Sequence, residues 1–409
     1  MVEWVRFWQR LGPTARRLLM ARASRSLGQG ALLVTFALYL KDLGWTATAI
    51  GLLMTATAAT SSGLSLMLGV LSDRTRRKPF LLGYSALVTA AGAVGLLTAV
   101  PWLLIPATLA GGFGRGQSGA AGPFAPIENA WLGRETSAGQ RPRAFSLNSG
   151  MGFIGMGLGA VLAGGVAPLV ARFGAAGYRP LFALVGVAGV LTFALVVSAG
   201  ETTVPVVAAP AAVPRPRRLL GEDAGFVLRL AVCNTMNGLA VGIAGPLMSY
   251  WFALRYHVGP LELGPMFAVA FLLTGVVGVG MGSVSERWGL VNSVAGTRVA
   301  GVALLVAMPL MPAYAPAAAA YVLRSALNRG TVGPRMALIV GAVSDQRRAT
   351  ATSISTATSQ GASAIGPTLA GLMFDSRLLA LPFLIAAGLQ LAYAGVYWTF
   401  FRRYEPHRP

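Results

Sequence analysis

Acid is scarce in this chain. Its 409 residues carry 13 Asp and Glu against 33 Lys and Arg, with two histidines and one cysteine. A single thiol, Cys233, set in an apolar stretch, makes no disulfide framework and no thiolate metal site, so it reads as a buried structural residue. His257 and His407 are far apart in sequence and form no metal cluster. The Gly-Lys-Ser/Thr phosphate loop is missing, which removes the chemistry of ATP-driven transport. Polar residues are scarce altogether: 55% of the chain is hydrophobic, 11% is charged and the mean hydropathy is +0.64, too little to cover a soluble globule. What remains is an integral membrane protein and not an enzyme.

Uncharged apolar windows of about 20 residues, the length a helix needs to cross ~30 Å of hydrocarbon, recur along the chain, as at Phe80 to Val100, Leu181 to Ala199 and Leu378 to Phe401. The alternating period of a barrel strand is missing, so the spans are helices that satisfy their own backbone hydrogen bonds. Reading loop to loop predicts twelve: 22–40, 46–70, 80–100, 102–131, 144–169, 179–199, 224–252, 261–284, 292–312, 315–341, 350–374 and 378–401. The stretch "ETTVPVVAAPAAVPRPRRLLGED", rich in Pro and Arg, reads as an extended linker dividing the spans six and six. The predicted organisation is therefore an N-terminal segment (1–21), a six-helix bundle (22–199), a linker (200–223), a second six-helix bundle (224–401) and a tail (402–409). The fold class is all-α, with 12 transmembrane helices in two pseudo-symmetric halves.

A net charge of +20 would suggest nucleic acid in a soluble protein, but its placement argues for orientation instead. Bases cluster in the N-terminal segment (Arg6, Arg10, Arg16, Arg17, Arg22, Arg25), then at 74–78, 134–143, 215–218, 347–348 and 402–408; the intervening loops hold only Lys41, Arg172, Arg179, Arg255 and Arg377. This alternation puts both termini in the cytoplasm of a multi-pass protein, with the cell inner (plasma) membrane as the expected location and anionic lipids as neighbours. Residues 1–21 lack a continuous apolar core and a small-residue cleavage site, so they do not read as a signal peptide. Trp4, Trp8 and Leu11 share one helical face before Gly12-Pro13, which predicts a short helix on the membrane surface.

The halves repeat each other. Gly69-x-x-x-Asp73-Arg74 returns 213 residues on as Gly282-x-x-x-Glu286-Arg287, and the same offset carries Ile50-Gly51 onto Leu263-Gly264. Arg141 with "LGAVLAG" answers Arg348 with "IGPTLAG" at 207, and Pro126 and Gly133 answer Pro334 and Gly341 at 208. A series of matches in one order indicates duplication, and two parallel six-helix repeats around a midplane site is a transporter architecture.

With these repeats the sequence resembles the major facilitator superfamily over nearly its whole length. "GVLSDRTRRKP" is similar to that family's Gly-x-x-x-Asp-Arg-x-x-Arg-Arg/Lys signature between helices 2 and 3. "RGQSGAA" from Arg115 resembles the helix 4 motif of proton-coupled members, and "GMGLGAVLAGG" in helix 5 partly resembles the Gly-Pro motif of drug/proton antiporters, with Ala160 in place of the proline that the duplicate has at Pro367. The resemblance implies a secondary transporter working by alternating access, coupled to protons in the export direction. It further implies that Asp73, with Gly69, Arg74 and Arg77, latches the halves on the cytoplasmic side against the start of helix 11 beside Arg348. By the repeat, Gly282, Glu286 and Arg287 should do the same against the start of helix 5.

Charges inside spans are expensive, which makes them candidates for function. Arg115 falls near the middle of helix 4, and Arg324 and Arg329 fall within helix 10, its repeat partner; no acid occupies a comparable depth. Guanidinium without a deep carboxylate favours an anionic or zwitterionic solute. Polar residues on the presumed lining helices add Gln29, Tyr39, Asn234, Asn237, Tyr250, Trp251 and Asn328. Glu128 is the acid best placed to carry a proton, because apolar surroundings favour a neutral carboxyl; Arg115 shares that coupling role. The glycines of helices 5 and 11 read as packing. "GRGQSG" (114–119) with Glu135 beyond fits a dinucleotide fingerprint only as letters, since no strand precedes it and it lies in a span. No cofactor, metal or nucleic acid is expected, and a monomer is. The expected function is proton-coupled efflux of a small organic solute. Uptake or exchange of an organic anion is the alternative, and a non-transporting membrane sensor or assembly partner is a third reading.

Overall fold

Proline sets where most of these helices begin. At the first turn its missing N–H costs no hydrogen bond, and Pro13, Pro101, Pro126, Pro142, Pro180 and Pro382 all occupy that place. The computed structural model describes residues 2–72, 76–114, 122–137, 139–201, 224–331, 335, 338 and 348–402, and among them no strand occurs. The helices are α1 (Val2–Arg10), α2 (Pro13–Asp42), α3 (Ala47–Ser72), α4 (Lys78–Leu97), α5 (Pro101–Gly111), α6 (Ala125–Arg134), α7 (Arg141–Gly165), α8 (Ala167–Phe173), α9 (Arg179–Ser198), α10 (Ala224–Ala244), α11 (Met248–Tyr256), α12 (Pro260–Trp288), α13 (Leu290–Leu310), α14 (Tyr314–Gly330), α15 (Arg348–Asp375) and α16 (Leu381–Phe401). Seven stretches of the described residues are long and apolar enough to cross a bilayer unaided.

The protein is an all-α membrane protein of two six-helix halves, with three departures from the expected spans. The helix that carries the first span begins at Pro13, ahead of residue 22, and at its start Arg16 and Arg17 bond to the carbonyls of Gln9 and Ser198. The fourth is two helices. α5 stops where Gly112 turns left-handed at φ 69, a conformation that costs glycine little, and α6 starts afresh at Ala125. The seventh is likewise cut after Ala244, at the Gly245-Pro246 step, into α10 and α11. Among the described residues of 6–11, Phe7 and Leu11 are buried and Trp8 is half-buried.

The chain forms two compact units. One comprises Met1–Leu43, Thr60–Ala209 and Gly259–Ala268; the other comprises Gly44–Ala59, Pro210–Val258 and Val269–Pro409. They follow the sequence halves except at two helices: the first half of α3 belongs with the second unit, and the first turns of α12 belong with the first. Inside the first unit α2 packs on α7 and α9; inside the second, α10 packs on α15 and α16. The α2–α7 and α10–α15 pairs are repeat counterparts. Both depend on close approach, since a Cβ at Gly30 would collide with the Met156 carbonyl, and one at Gly238, 208 residues later, with the Ser359 carbonyl.

Candidate transport sites

Four arginines lie in the first half of α2, and in the first unit one of them finds an acid. The Arg25 guanidinium pairs with Glu128 Oε2, and this is the one ion pair among the described residues. Both side chains are buried, at 10% and 2% exposure. Glu128 sits in the first turn of α6, where unpaired helix amides favour a negative charge. Its other oxygen, Oε1, has no hydrogen-bond partner among the described residues. Arg25 also lies 6.0 Å from the centre of the Tyr84 ring, itself stacked on Phe124. Beside the pair is a cavity of about 30 Å³, lined by Arg25, Gln29, Tyr84, Gly112 and Gly189, with room for a water. The sequence offered Glu128 as a proton carrier and read Arg25 only as an orienting base.

The second unit gathers cations without acids. On α14, Arg324 and Asn328 share one face, four residues apart, while Arg329 stands well round the helix from Arg324. Arg298 on α13 donates from Nη2 to the Asn328 carbonyl at 3.3 Å. Arg335, just past α14, donates from Nη2 to Asn234 Oδ1 at 2.7 Å, and Asn234 in turn donates to Ser355 Oγ at 2.7 Å. The Asn328 amide reaches Gln390 Oε1 at 3.5 Å. Arg298 and Arg335 both lie over the Tyr393 ring, at 5.6 and 6.0 Å, and Arg329 over Phe271 at 5.7 Å. Of the residues singled out in the sequence, Asn328 is tied into this group through Arg298 and Asn234 through Arg335, while Arg329 lies over Phe271. Arg298, Arg335 and Gln390 join them unannounced; Arg298 lies inside a predicted span, so the rule that singled out Arg324 also covers it.

Other candidates are placed apart. Tyr39 sits in an aromatic cluster with Phe36, Tyr178 and Phe182. Trp251 is fully buried and its indole donates to the Leu379 carbonyl at 2.9 Å. Tyr250 stacks on Phe374, and Asn237 is buried with Oδ1 lacking a partner among the described residues. Asp73, Arg74 and Arg115 lie outside the described residues. Gly69 lies on α3, Gly282 and Glu286 on α12 and Arg348 at the start of α15, but their side chains are likewise outside. Arg287 is exposed at the end of α12. Arg77 is buried, and its amide and that of Lys78 donate to Glu201 at 2.8 and 3.2 Å. Lys78 Nζ donates to the Val197 and Ala199 carbonyls at 2.7 and 2.9 Å, a cation placed where the α9 dipole is negative. The basic run after α3 therefore clips α4 to the end of α9.

At the opposite end of α3, Asp375 of α15 caps the helix. Its carboxylate accepts from the amides of Ala47 and Thr48 at 3.0 and 2.8 Å and from the Thr48 hydroxyl at 2.5 Å. Below it, Thr55 and Thr368 hydroxyls are 2.7 Å apart, and Gly51 and Gly371 let the two backbones meet. The repeat counterpart, α7 against α12, has no such cap: Pro260 stands where Ala47 offers an amide, and Pro168 where Asp375 offers a carboxylate. Gly164 approaches the Pro260 carbonyl instead, a hypothetical Cβ there lying 3.3 Å away.

Burial raises the Asp375 carboxyl, but the hydrogen bonds from Thr48, Ala47 and Thr46 outweigh it and hold the group below the usual carboxylate value. A group held low in the docked junction stabilises it at any pH above the released group's value, and that contribution is lost as pH falls through the docked value. At neutral pH the cap is intact. Asp375→Asn should weaken it by about 1 kcal/mol, discounted for exposure, and speed the labelling of a cysteine at Thr55 by ~5-fold. Unchanged labelling would show that the cap holds nothing.

Comparison with known proteins agrees with this architecture. The sequence profile of the Major Facilitator Superfamily matches residues 18–229 and again 230–409. The chain belongs to that superfamily: it is a membrane transporter and not an enzyme. A curated relative, the uncharacterized membrane protein YJR124C of Saccharomyces cerevisiae, is 21% identical over 398 residues, 89% of each chain. Similar solved structures include a bacterial homologue of the human lysosomal transporter Spinster (14% identity, 97% of this chain and 98% of that one, TM-score 0.73). The nucleoside transporter NupG is another (14%, 95% and 99%, 0.70), as is a D-xylose-proton symporter (16%, 94% and 97%, 0.72). At these identities the likeness speaks for the fold alone.

Proposed function

We propose that the protein is a proton-coupled carrier of a small organic solute, and that Arg25–Glu128 is its proton-carrying pair. The observation that carries this reading is a buried carboxylate with one oxygen paired to a guanidinium that itself lines a water-sized cavity, and the other oxygen without a hydrogen-bond partner among the described residues. A proton arriving on Oε1 neutralises Glu128 and removes the charge that holds Arg25, so the two protonation states favour different packings of α2 against α6. Alternating access follows from α3 and α12. Each is one helix shared between two units, so any displacement of those units must release one part of each helix from its seat. The export direction rests on the Arg115 and helix 5 motifs. We place the protein in the plasma membrane as a monomer with cytoplasmic termini, on the distribution of its arginines.

Reconstitution tests the reading. Proteoliposomes preloaded with a permeant solute should show counterflow without a pH gradient and faster net movement with one. Neither flux, over a panel of anionic, cationic and neutral solutes, would favour the non-transporting alternative.

A further inference from the structure

The arginines of the second unit are short of counter-charge. Arg298 and Arg324 are 3% and 8% exposed, and the Nε atom of each is buried without a hydrogen-bond partner among the described residues. So are Asn328 Oδ1, Gln390 Nε2 and the Tyr393 and Tyr397 hydroxyls. The partners that Arg298 and Arg335 do have are a neutral carbonyl and a neutral amide. The one carboxylate of this unit whose contacts are described, Asp375, is bound to the N-terminus of α3. It lies twenty residues along α15 from Ser355, roughly 30 Å away at 1.5 Å per residue. Guanidinium keeps its proton at any physiological pH and accepts nothing, so these charges persist, and no acid among the described residues pairs with them. A buried ion without a partner costs several kcal/mol. Such an arrangement is retained where an anion arrives from outside to complete it.

We infer that Arg298, Arg324 and Arg335, with Asn328, form a binding site for the oxyanion group of a small organic anion, a carboxylate or phosphate. The inference rests on the transport reading and gives its solute a chemical class. Guanidinium forks fit two oxygens of such a group at once, and two of them lie over the Tyr393 ring. The depth suits a free solute better than a lipid headgroup: Arg324 is ten residues into α14, about 15 Å from its outer end.

Thermal unfolding of the purified full-length protein in neutral detergent tests this. The probes are inorganic phosphate and succinate, with chloride at matched ionic strength and dihexanoyl phosphatidic acid as the lipid arm. Phosphate or succinate at millimolar concentration should raise the unfolding temperature by several degrees, and chloride should not. Arg298→Gln and Arg324→Gln should abolish that rise. Asn328→Asp supplies a resident carboxylate; it should raise the unfolding temperature in anion-free buffer and remove the response. The inference is overturned if the wild-type protein responds to neither probe, to chloride equally or to the lipid alone. It is also overturned if the variants keep the response, or if Asn328→Asp lowers the unfolding temperature, which would mean the guanidiniums are already satisfied. Because binding is read without flux, anion stabilisation in a protein that moves nothing would keep the site and refute the transport reading; flux without stabilisation would do the reverse.

Discussion

Glu128→Gln should leave a protein that exchanges solute across the membrane but no longer responds to a pH gradient. Glutamine has nearly the shape of glutamate and carries no titratable proton, so the step that couples the gradient to α2 and α6 is lost while the solute path is kept. The substitution also strands Arg25, which is 10% exposed and has no other acid among the described residues. Removing one member of a buried pair costs about 3 kcal/mol, because the remaining charge is left uncompensated. Arg25→Gln added to Glu128→Gln should recover most of that loss, and the non-additivity of the double-mutant cycle measures the pair itself. The unfolding temperature should fall in each single variant and return in the double one. A Glu128→Gln protein whose flux still follows the pH gradient would remove Glu128 from the coupling.

Gly51→Leu should abolish net transport by a different route. Any Cβ at this position collides with the Pro367 carbonyl, a backbone atom that cannot swing away. Leucine is the better helix former by about 1 kcal/mol, so α3 itself gains and the whole penalty falls on its contact with α15. Overpacking of this kind costs about 3 kcal/mol, a ~100-fold shift against the docked junction. A carrier that cannot complete one of its two states stops cycling, so net flux should fall by about that factor while the protein remains monodisperse. Wild-type flux in this variant would show that α3 and α15 need not dock during the cycle.

Much of the fold is legible in the sequence because duplication and charge placement are local or periodic signals. The 213-residue offset that joins Gly51 to Gly264 marks them as equivalent positions, and in the structure each meets a backbone carbonyl, that of Pro367 and that of Ala160. Pro260 and Pro168 even foretell which of the two junctions lacks a cap, once the structure shows what Ala47 and Asp375 do. The break in the fourth span is harder to read, since the glycines at 111, 112 and 114 lower neither hydropathy nor length enough to divide it. Pairing is least legible of all. Arg25 and Glu128 are separated by 103 residues, and Asp375 and Ala47 by 328, so each reads alone as a base or acid near a span end. Arg298 differs, since a charge six residues into a predicted span declares its own expense.

The most direct measurement is internal pH in proteoliposomes holding the purified protein and a trapped dye, challenged with carboxylates and phosphates beside cationic and neutral compounds. A proton-coupled anion carrier gives a pH change with the anions that disappears in Glu128→Gln and in Arg324→Gln. Responses confined to cationic or neutral compounds, or an anion response that survives both substitutions, would contradict it.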